Sequence, residues 1–321
     1  MRATSAWRPV RVDRKTVEAQ DICSLELVPL EGESLPHFSA GAHIDVHLPG
    51  GITRQYSLCN PLGMEDRYQI CVLREQNSRG GSAAVHERVF EGDLLEIGEP
   101  KNHFSLAHAA PSSLLIAGGI GITPIVCMAD RLHVAGAAFQ MHYAVRNRAR
   151  AAFRERILDS PFASQVQIHF SEESGRIDIE EVLRSANGKA HLYVCGPQGL
   201  IDAVLSSARS RGWSDERLHQ EYFGAGVVSN EEDAPFDVKL ASSGKVVRVG
   251  AKETVLAALA SAGVEVPYSC EQGVCGTCLT RILDGTPDHR DAYLTPGEHA
   301  ANDQFTPCCS RAKSALLVLD L

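Results

Sequence analysis

The stretch YSCEQGVCGTCLT, residues 268–280, puts three cysteines, Cys270, Cys275 and Cys278, into one short loop. Any fold for this chain must explain that concentration of sulfur. A disulfide cluster, a zinc site, an iron–sulfur cluster and chance are the competing explanations. The N-terminus, MRATSAWRPVRVDRK, is polar and basic and has no apolar leader segment. The expected setting is therefore the cytoplasm, where a disulfide framework is disfavoured. Of the ten cysteines, Cys23, Cys59, Cys71, Cys127 and Cys195 are scattered through apolar stretches and read as small core residues. The other five, including Cys308 and Cys309, crowd into the C-terminal part. Zinc ribbons use two C-x2-C pairs, and the loop offers only Cys275 and Cys278 in that spacing. The pattern C-x4-C-x2-C with a distant fourth cysteine is instead that of a [2Fe–2S] cluster. Gly273 and Gly276 can adopt positive φ and turn backbone N–H groups toward the sulfurs.

The remaining chain bounds what surrounds this loop. Its 321 residues suggest two or three domains. A hydrophobic fraction of 44% and a charged fraction of 22% are ordinary for a globular protein. The net charge is −9, without a basic tract, which argues against nucleic acid and anionic membrane surfaces as partners. No window approaches the roughly 18 apolar residues of a membrane span.

The first stretch reads as all-β. Short runs at 43–49, 54–60, 68–75 and 93–100 are bounded by Gly, Pro, Asn and Asp, with a helical pattern at 82–90 between two of them. From residue 112 strands and helices alternate: strands at 113–119, 138–145, 166–173 and 190–197, and helices at 124–136, 151–161, 178–186 and 199–212. Alternation implies a parallel sheet covered by helices. VVSNEEDAP (227–235) reads as a linker. A hairpin at 236–250, a capped helix at 253–263 and a strand at 316–321 frame the cysteine loop.

Three motifs carry further chemistry. In RQYS (54–57) the arginine can meet a phosphate bidentately and the tyrosine can lie on a planar ring, although an exposed arginine beside a core tyrosine is the plainer reading. SRGGS (78–82) precedes a helix and can cradle phosphate on backbone N–H groups, unless Ser82 is merely the helix cap. LLIAGGIGITPI (114–125) is a strand, a glycine turn and a helix start that departs from the dinucleotide fingerprint by ending in proline.

In this order the motifs resemble the phthalate dioxygenase reductase family. The cysteine loop resembles plant-type ferredoxin, and the ending CCSRAKSALLVLDL resembles one in which the ligand stands two residues before Ser-Arg-Ala. The resemblance implies three domains: an FMN-binding antiparallel β-barrel (1–108), an NAD-binding α/β domain with a parallel sheet (109–226), and, after the linker (227–235), a β-grasp [2Fe–2S] domain (236–321). It implies cluster ligation by Cys270, Cys275, Cys278 and Cys308. It implies flavin contacts at Arg54, Gln55, Tyr56, Ser57, Cys71, Val72, Leu73, Gly80, Gly81 and Ser82, and nicotinamide contacts at Gly119, Gly121, Thr123, Cys195, Gly196 and Pro197. Ser57, Thr123, Cys195 and Phe223 are then the residues at the hydride-transfer centre.

The same resemblance implies electron flow from NADH through FMN and the cluster to a separate Rieske-type oxygenase. The short step from glycine loop to helix favours FMN over FAD. Arg146, Arg148 and Arg150 in AVRNRAR leave NADPH possible. Other readings are an FAD-dependent reductase of a diiron monooxygenase, a redox sensor, and a protein with a structural zinc tail.

Overall fold

The structure is a computed structural model that describes residues 7–31, 33–61, 64, 66–76, 80–108, 110–223, 233–268 and 270–321. Ser78 and Arg79 of the glycine loop and residues 227–232 of the expected linker lie outside these. Two compact units emerge, Met1–Glu221 and Tyr222–Leu321.

The first unit opens with a six-stranded antiparallel sheet. Its strands are β1 (Arg8–Ala19), β2 (Ile22–Pro29), β3 (His43–Leu48), β4 (Ile52–Ser57), β5 (Tyr68–Leu73) and, after helix α1 (Gly81–Arg88), β6 (Leu94–Ile97). The order is β4-β3-β6-β1-β2-β5. A bridge from Leu58 to Ile70 joins the two edges, so the sheet closes as a barrel. Val10, Val12, Leu25, Leu27, Ile44, Val46 and Ile70 fill it. β1 and β2, the longest strands here, have no counterpart among the strand runs expected from sequence. β1 carries charged residues on one face, and its register slips between Val12 and Arg14 and again between Val17 and Ala19, so its alternation is broken.

The same unit continues into a parallel sheet with β7 (Ser113–Gly118), α2 (Ile122–Val134), β8 (Phe139–Val145), α3 (Arg154–Leu158), β9 (Val166–Phe170), α4 (Ser171–Ser174), α5 (Ile179–Ser185), β10 (His191–Cys195), α6 (Gln198–Ser210) and β11 (Leu218–Glu221). Strand order is β11-β10-β7-β8-β9, all parallel. Barrel and parallel sheet share one apolar core in which Ile22, Cys59, Cys71 and Phe104 meet Leu115, Ile125, Met141, Tyr143 and Tyr193. Arg156 crosses this seam, donating to the Cys59 carbonyl at 2.7 Å and to Asp130 at 2.5 Å.

Two expectations need correction. The helix read at 151–161 forms only over α3, because Phe153 takes a left-handed φ of 57° and buries its ring in the shared core. The strand read at 166–173 stops at Phe170. Glu172 and Glu173 belong to the short helix α4, where they meet arginines.

The second unit holds β12 (Phe236–Leu240), β13 (Val246–Val249), α7 (Val255–Ser261), β14 (Thr280–Asp284), β15 (Pro287–Asp288), α8 (Pro296–Ala301), β16 (Gln304–Phe305), β17 (Arg311–Ala312) and β18 (Leu316–Leu319). A five-stranded mixed sheet runs β13-β12-β18-β14-β16, with β12 and β18 parallel. Thr254 caps α7 by accepting from the Ala257 N–H. Val255, Leu256 and Leu259 of α7 pack with Val238, Leu240, Leu317 and Leu319 of the sheet. Barrel, parallel α/β layer and β-grasp unit give the multi-domain fold class expected from sequence.

Candidate functional site

In the parallel sheet the chain runs outward from β7 to β9 and then returns on the other side of β7 to β10. The reversal falls between β7 and β10, and ligands of open α/β sheets bind outside the strand carboxyl ends at such a point. Both glycine turns lie there. A Cβ on Gly121 would stand 2.3 Å from the Cys195 carbonyl oxygen, and one on Gly118 would stand 2.8 Å from Pro197. Gly196, at φ 157°, would bring a Cβ within 2.9 Å of the Gly118 backbone. Only glycine lets the two turns approach so closely. Gly119 has φ 53°, a conformation that also favours glycine. Thr123 starts α2, is buried, and donates to the Ile120 carbonyl at 3.1 Å. The paired turns can pass a pyrophosphate at backbone distance.

From the barrel side, Ser57 at the end of β4 reaches this edge. Its hydroxyl donates to Glu221 Oε2 at 3.4 Å. Glu221 ends β11 and is the register partner of Cys195. Ser57, Cys195 and Glu221 therefore converge from three strands. Cys195 is fully buried, and burial followed by the nearby Glu221 pushes its thiol well above the usual value. The Glu221 carboxyl is raised to about 8, by burial more than the Ser57 hydroxyl lowers it. Glu221 was not singled out from sequence. The available signal was an acidic residue ending an apolar-flanked strand, immediately before the aromatic pair Tyr222 and Phe223. Phe223 itself belongs to the second unit, which begins at Tyr222, and is 39% exposed.

Along β4, Arg54 lies across the start of α1, where a Cβ on Gly81 would stand 2.7 Å from its Cγ. Gly80, at φ 91°, is the N-cap, and among the described residues no side chain caps the helix. Ser82 instead accepts from the Glu75 N–H at 3.1 Å, so the plainer reading of Ser82 as the cap fails. A guanidinium beside a helix N-terminus without a side-chain cap suits a phosphate. Tyr56 packs partly buried against the barrel core, and its hydroxyl pKa is raised by burial. The Gln55 side chain donates to Asp45 at 3.0 Å, which Lys101 also binds at 2.8 Å. That contact belongs to the barrel. Cys71 and Leu73 face the shared core, while Val72 faces the barrel interior. Their backbone is what they can offer a ligand.

Arg146 donates to Glu172 at 2.7 Å, Arg148 donates twice to Glu173 at 2.8 and 3.0 Å, and Arg150 donates to Asp21 at 3.1 Å. Each arginine of AVRNRAR thus has a carboxylate partner.

In the second unit, Cys270, Cys278 and Cys308 are buried and Cys275 is partly exposed. The thiols fall into two contacts, Cys270 with Cys275 and Cys278 with Cys308. A [2Fe–2S] cluster takes four thiolates, and two pairs match two per iron. Contact with Cys270 lowers the Cys275 thiol to about 5 and raises the Cys270 thiol, so the pair shares one proton that ligation of both would displace. Glu271, Gly273 and Gly276 all have positive φ, and the Gln272 N–H donates to Cys270 Sγ at 3.3 Å. A Cβ on Gly273 would strike Cys309 Sγ at 2.4 Å. Cys309 also meets Thr306 Oγ1 at 3.2 Å and the neighbouring Cys308. The residues present fit the cluster.

Residues 238–313 match the 2Fe-2S iron-sulfur cluster binding domain family. Residues 100–218 match the dimethylamine monooxygenase subunit DmmA-like N-terminal domain. The vanillate O-demethylase oxidoreductase of Pseudomonas sp. (strain HR199 / DSM 7063) is 52% identical over 305 residues, covering 94% of this chain and 96% of that one. The phthalate dioxygenase reductase of Burkholderia cepacia is 39% identical, covering 97% of each. A solved structure titled as phthalate dioxygenase reductase, a modular structure for electron transfer from pyridine nucleotides to [2Fe-2S], superposes with a TM-score of 0.81 at 39% identity, covering 98% of both chains. Full-length similarity of this degree means that the chain, with its switch point and cysteine loop, belongs to the family of vanillate O-demethylase oxidoreductases and phthalate dioxygenase reductases.

Proposed function

We propose that this protein takes electrons from NADH on an FMN, passes them through a [2Fe–2S] cluster, and delivers them to a separate Rieske-type oxygenase or demethylase. The observation that carries the reading is the presence in one chain of a nucleotide-type switch point facing a barrel and a four-thiol loop. When bound, the flavin exchanges two electrons as hydride and the cluster carries one at a time. The protein's task is placement. Arg54 and the N–H groups from Gly80 to Ser82 hold the flavin phosphate, Tyr56 supports the ring, and the backbone of β4 and β5 borders it. The Gly119–Thr123 and Cys195–Pro197 turns hold the nicotinamide half of the dinucleotide. Ser57 and Glu221 keep a proton at the ring edge, and Cys195 offers a neutral surface there. Cys270, Cys275, Cys278 and Cys308 hold the cluster.

FMN is favoured because only residues 74–80 separate β5 from α1, which leaves little chain for an adenylate site. NADH is favoured because Glu172 and Glu173 partner the arginines that a 2′-phosphate would need, and would repel it. Among the described residues no helix is long and apolar enough to cross a membrane.

The test is the ultraviolet–visible spectrum of the purified protein without oxygen, before and after NADH. We expect flavin bands over broad cluster absorption, both bleached on addition. A flavin spectrum without cluster absorption would overturn the reading.

A further inference from the structure

The second unit holds another group of metal-binding side chains besides the cysteines. His289, Asp291 and His299 each present a donor atom within 4.8 Å of the other two. His289 and Asp291 follow β15, while His299 lies on α8, whose start is fixed by the Thr295–Glu298 capping box. The Asp291 side chain is fully buried, and that of His289 is 10% exposed. Asp291 Oδ1 lies 3.7 Å from His289 Nδ1 and 3.2 Å from His299 Nε2. Zinc bonds of ~2.0–2.1 Å in a tetrahedron separate neighbouring donor atoms by ~3.3 Å, so the two distances lie on either side of that edge.

The surroundings orient the group. Asp291 Oδ2 accepts from the backbone N–H groups of Leu294 at 2.8 Å and Tyr293 at 3.2 Å, which aims Oδ1 at the imidazoles. Ser310 Oγ donates to Oδ1 at 3.4 Å, and His299 Nε2 also lies 3.3 Å from Oδ2. The two rings stack with centroids 4.4 Å apart. Both ring nitrogens of His289 are shut off from solvent; the ring meets the Asn302 side chain, and Nδ1 faces Asp291 Oδ1. A cation held between Nδ1 and Asp291 Oδ1 would shorten no contact and would satisfy both buried atoms.

We propose that His289, Asp291 and His299 bind one divalent transition-metal ion of the zinc class, with water as the fourth ligand. Two imidazoles and one carboxylate suit zinc, nickel or cobalt and not the all-oxygen preference of calcium or magnesium. The site abuts the cysteine loop, since the Ala292 N–H donates to the Gly273 carbonyl at 3.0 Å. A bound ion would brace that loop from outside.

The experiment is a calorimetric titration of the full chain, purified with its cofactors, with zinc chloride. We expect one equivalent bound at micromolar zinc with iron content unchanged. His289→Ala and His299→Gln remove direct ligands and should each weaken binding by more than the roughly 10–100-fold typical of losing an outer-shell partner. His299 is partly exposed, so its variant keeps the proposal testable if the buried His289 variant fails to fold. His108→Ala, at an exposed histidine elsewhere, should leave the titration unchanged. Absence of binding at micromolar zinc, undiminished binding in His299→Gln, or zinc uptake that releases iron would each overturn the assignment.

Discussion

Replacing Glu221 by glutamine tests the proposed hydride-transfer edge most directly. The side chain keeps its shape and can still accept from Ser57, but it no longer titrates. In the wild-type protein the carboxyl is raised from 4.5 to about 8 by burial. The folded state then holds this proton more tightly than the unfolded chain. Between pH 4.5 and about 8 the native protein binds the extra proton, so the contribution to stability is complete below pH 4.5 and is lost as pH rises toward 8. At 1.36 kcal/mol per pKa unit the full shift corresponds to about 5 kcal/mol. Glu221 is not wholly closed to solvent, so relaxation of water around it reduces the figure, and about 1–3 kcal/mol is expected. The assay is denaturant unfolding of both proteins at several pH values from 5 to 9, read as the difference between them so that other titrating groups cancel. Relative to the variant, the wild-type protein should weaken with rising pH and level off near 8. Anaerobic flavin reduction by NADH should lose, in the variant, any inflection near that pH. Parallel stability curves would refute the reasoning, because they would mean that Glu221 ionises in the fold as it does in the unfolded chain.

Other consequences follow from single contacts. Glu172→Gln with Glu173→Gln should free Arg146 and Arg148 and raise kcat/KM for NADPH relative to NADH about tenfold or more; an unchanged ratio in steady-state assays would place the 2′-position elsewhere. Gly121 has an ordinary φ of −61°, so Gly121→Ala would fail through the 2.3 Å clash with the Cys195 carbonyl alone. It should slow flavin reduction by NADH more than tenfold while flavin content, measured after gel filtration, stays near wild type. Cys308→Ser should abolish normal cluster absorption, whereas Cys309→Ser should retain it; the reverse pattern would exchange their roles.

The sequence carried the parts of this fold that depend on backbone punctuation. Gly118, Gly121 and Gly196 sit where two turns touch, Gly273 sits against the Cys309 sulfur, and Gly276 sits against the Tyr293 ring. Nothing larger fits at these places, so the residue type is itself the record of the geometry. The strands β7, β8 and β10 were legible because most of their residues are apolar and buried, as in strands covered on both faces. What escaped was set by tertiary contact. Phe153 abandons a helical pattern to bury its ring in a core formed with a barrel far away in sequence. Glu172 and Glu173 extend a strand-like run, but their pairing with Arg146 and Arg148 belongs to a separate turn. Glu221 was hidden for the same reason, since its meaning lies in Ser57 and Cys195, both remote along the chain.

The parallel sheet explains why such distant residues meet at all. β7, β10 and β11 run in one direction side by side, so whatever follows the last residue of each emerges at one edge. Gly118, Cys195 and Glu221 are those last residues. Their neighbours in sequence, the GIGITP turn and the GP dipeptide, are thereby delivered to the same place without any contact having to be specified between them. Ser57 is the one member contributed by the barrel, and it arrives because the two sheets share a continuous core along the Cys59, Cys71 and Phe104 seam. The precision of the edge therefore depends on that seam. Arg156, which ties Asp130 of α2 to the Cys59 carbonyl just beyond β4, links the strand end carrying Ser57 to the helix that begins at the glycine turn. A residue outside the edge thus helps set the separation between Ser57 and the glycine turn, across which the proposed hydride transfer would pass.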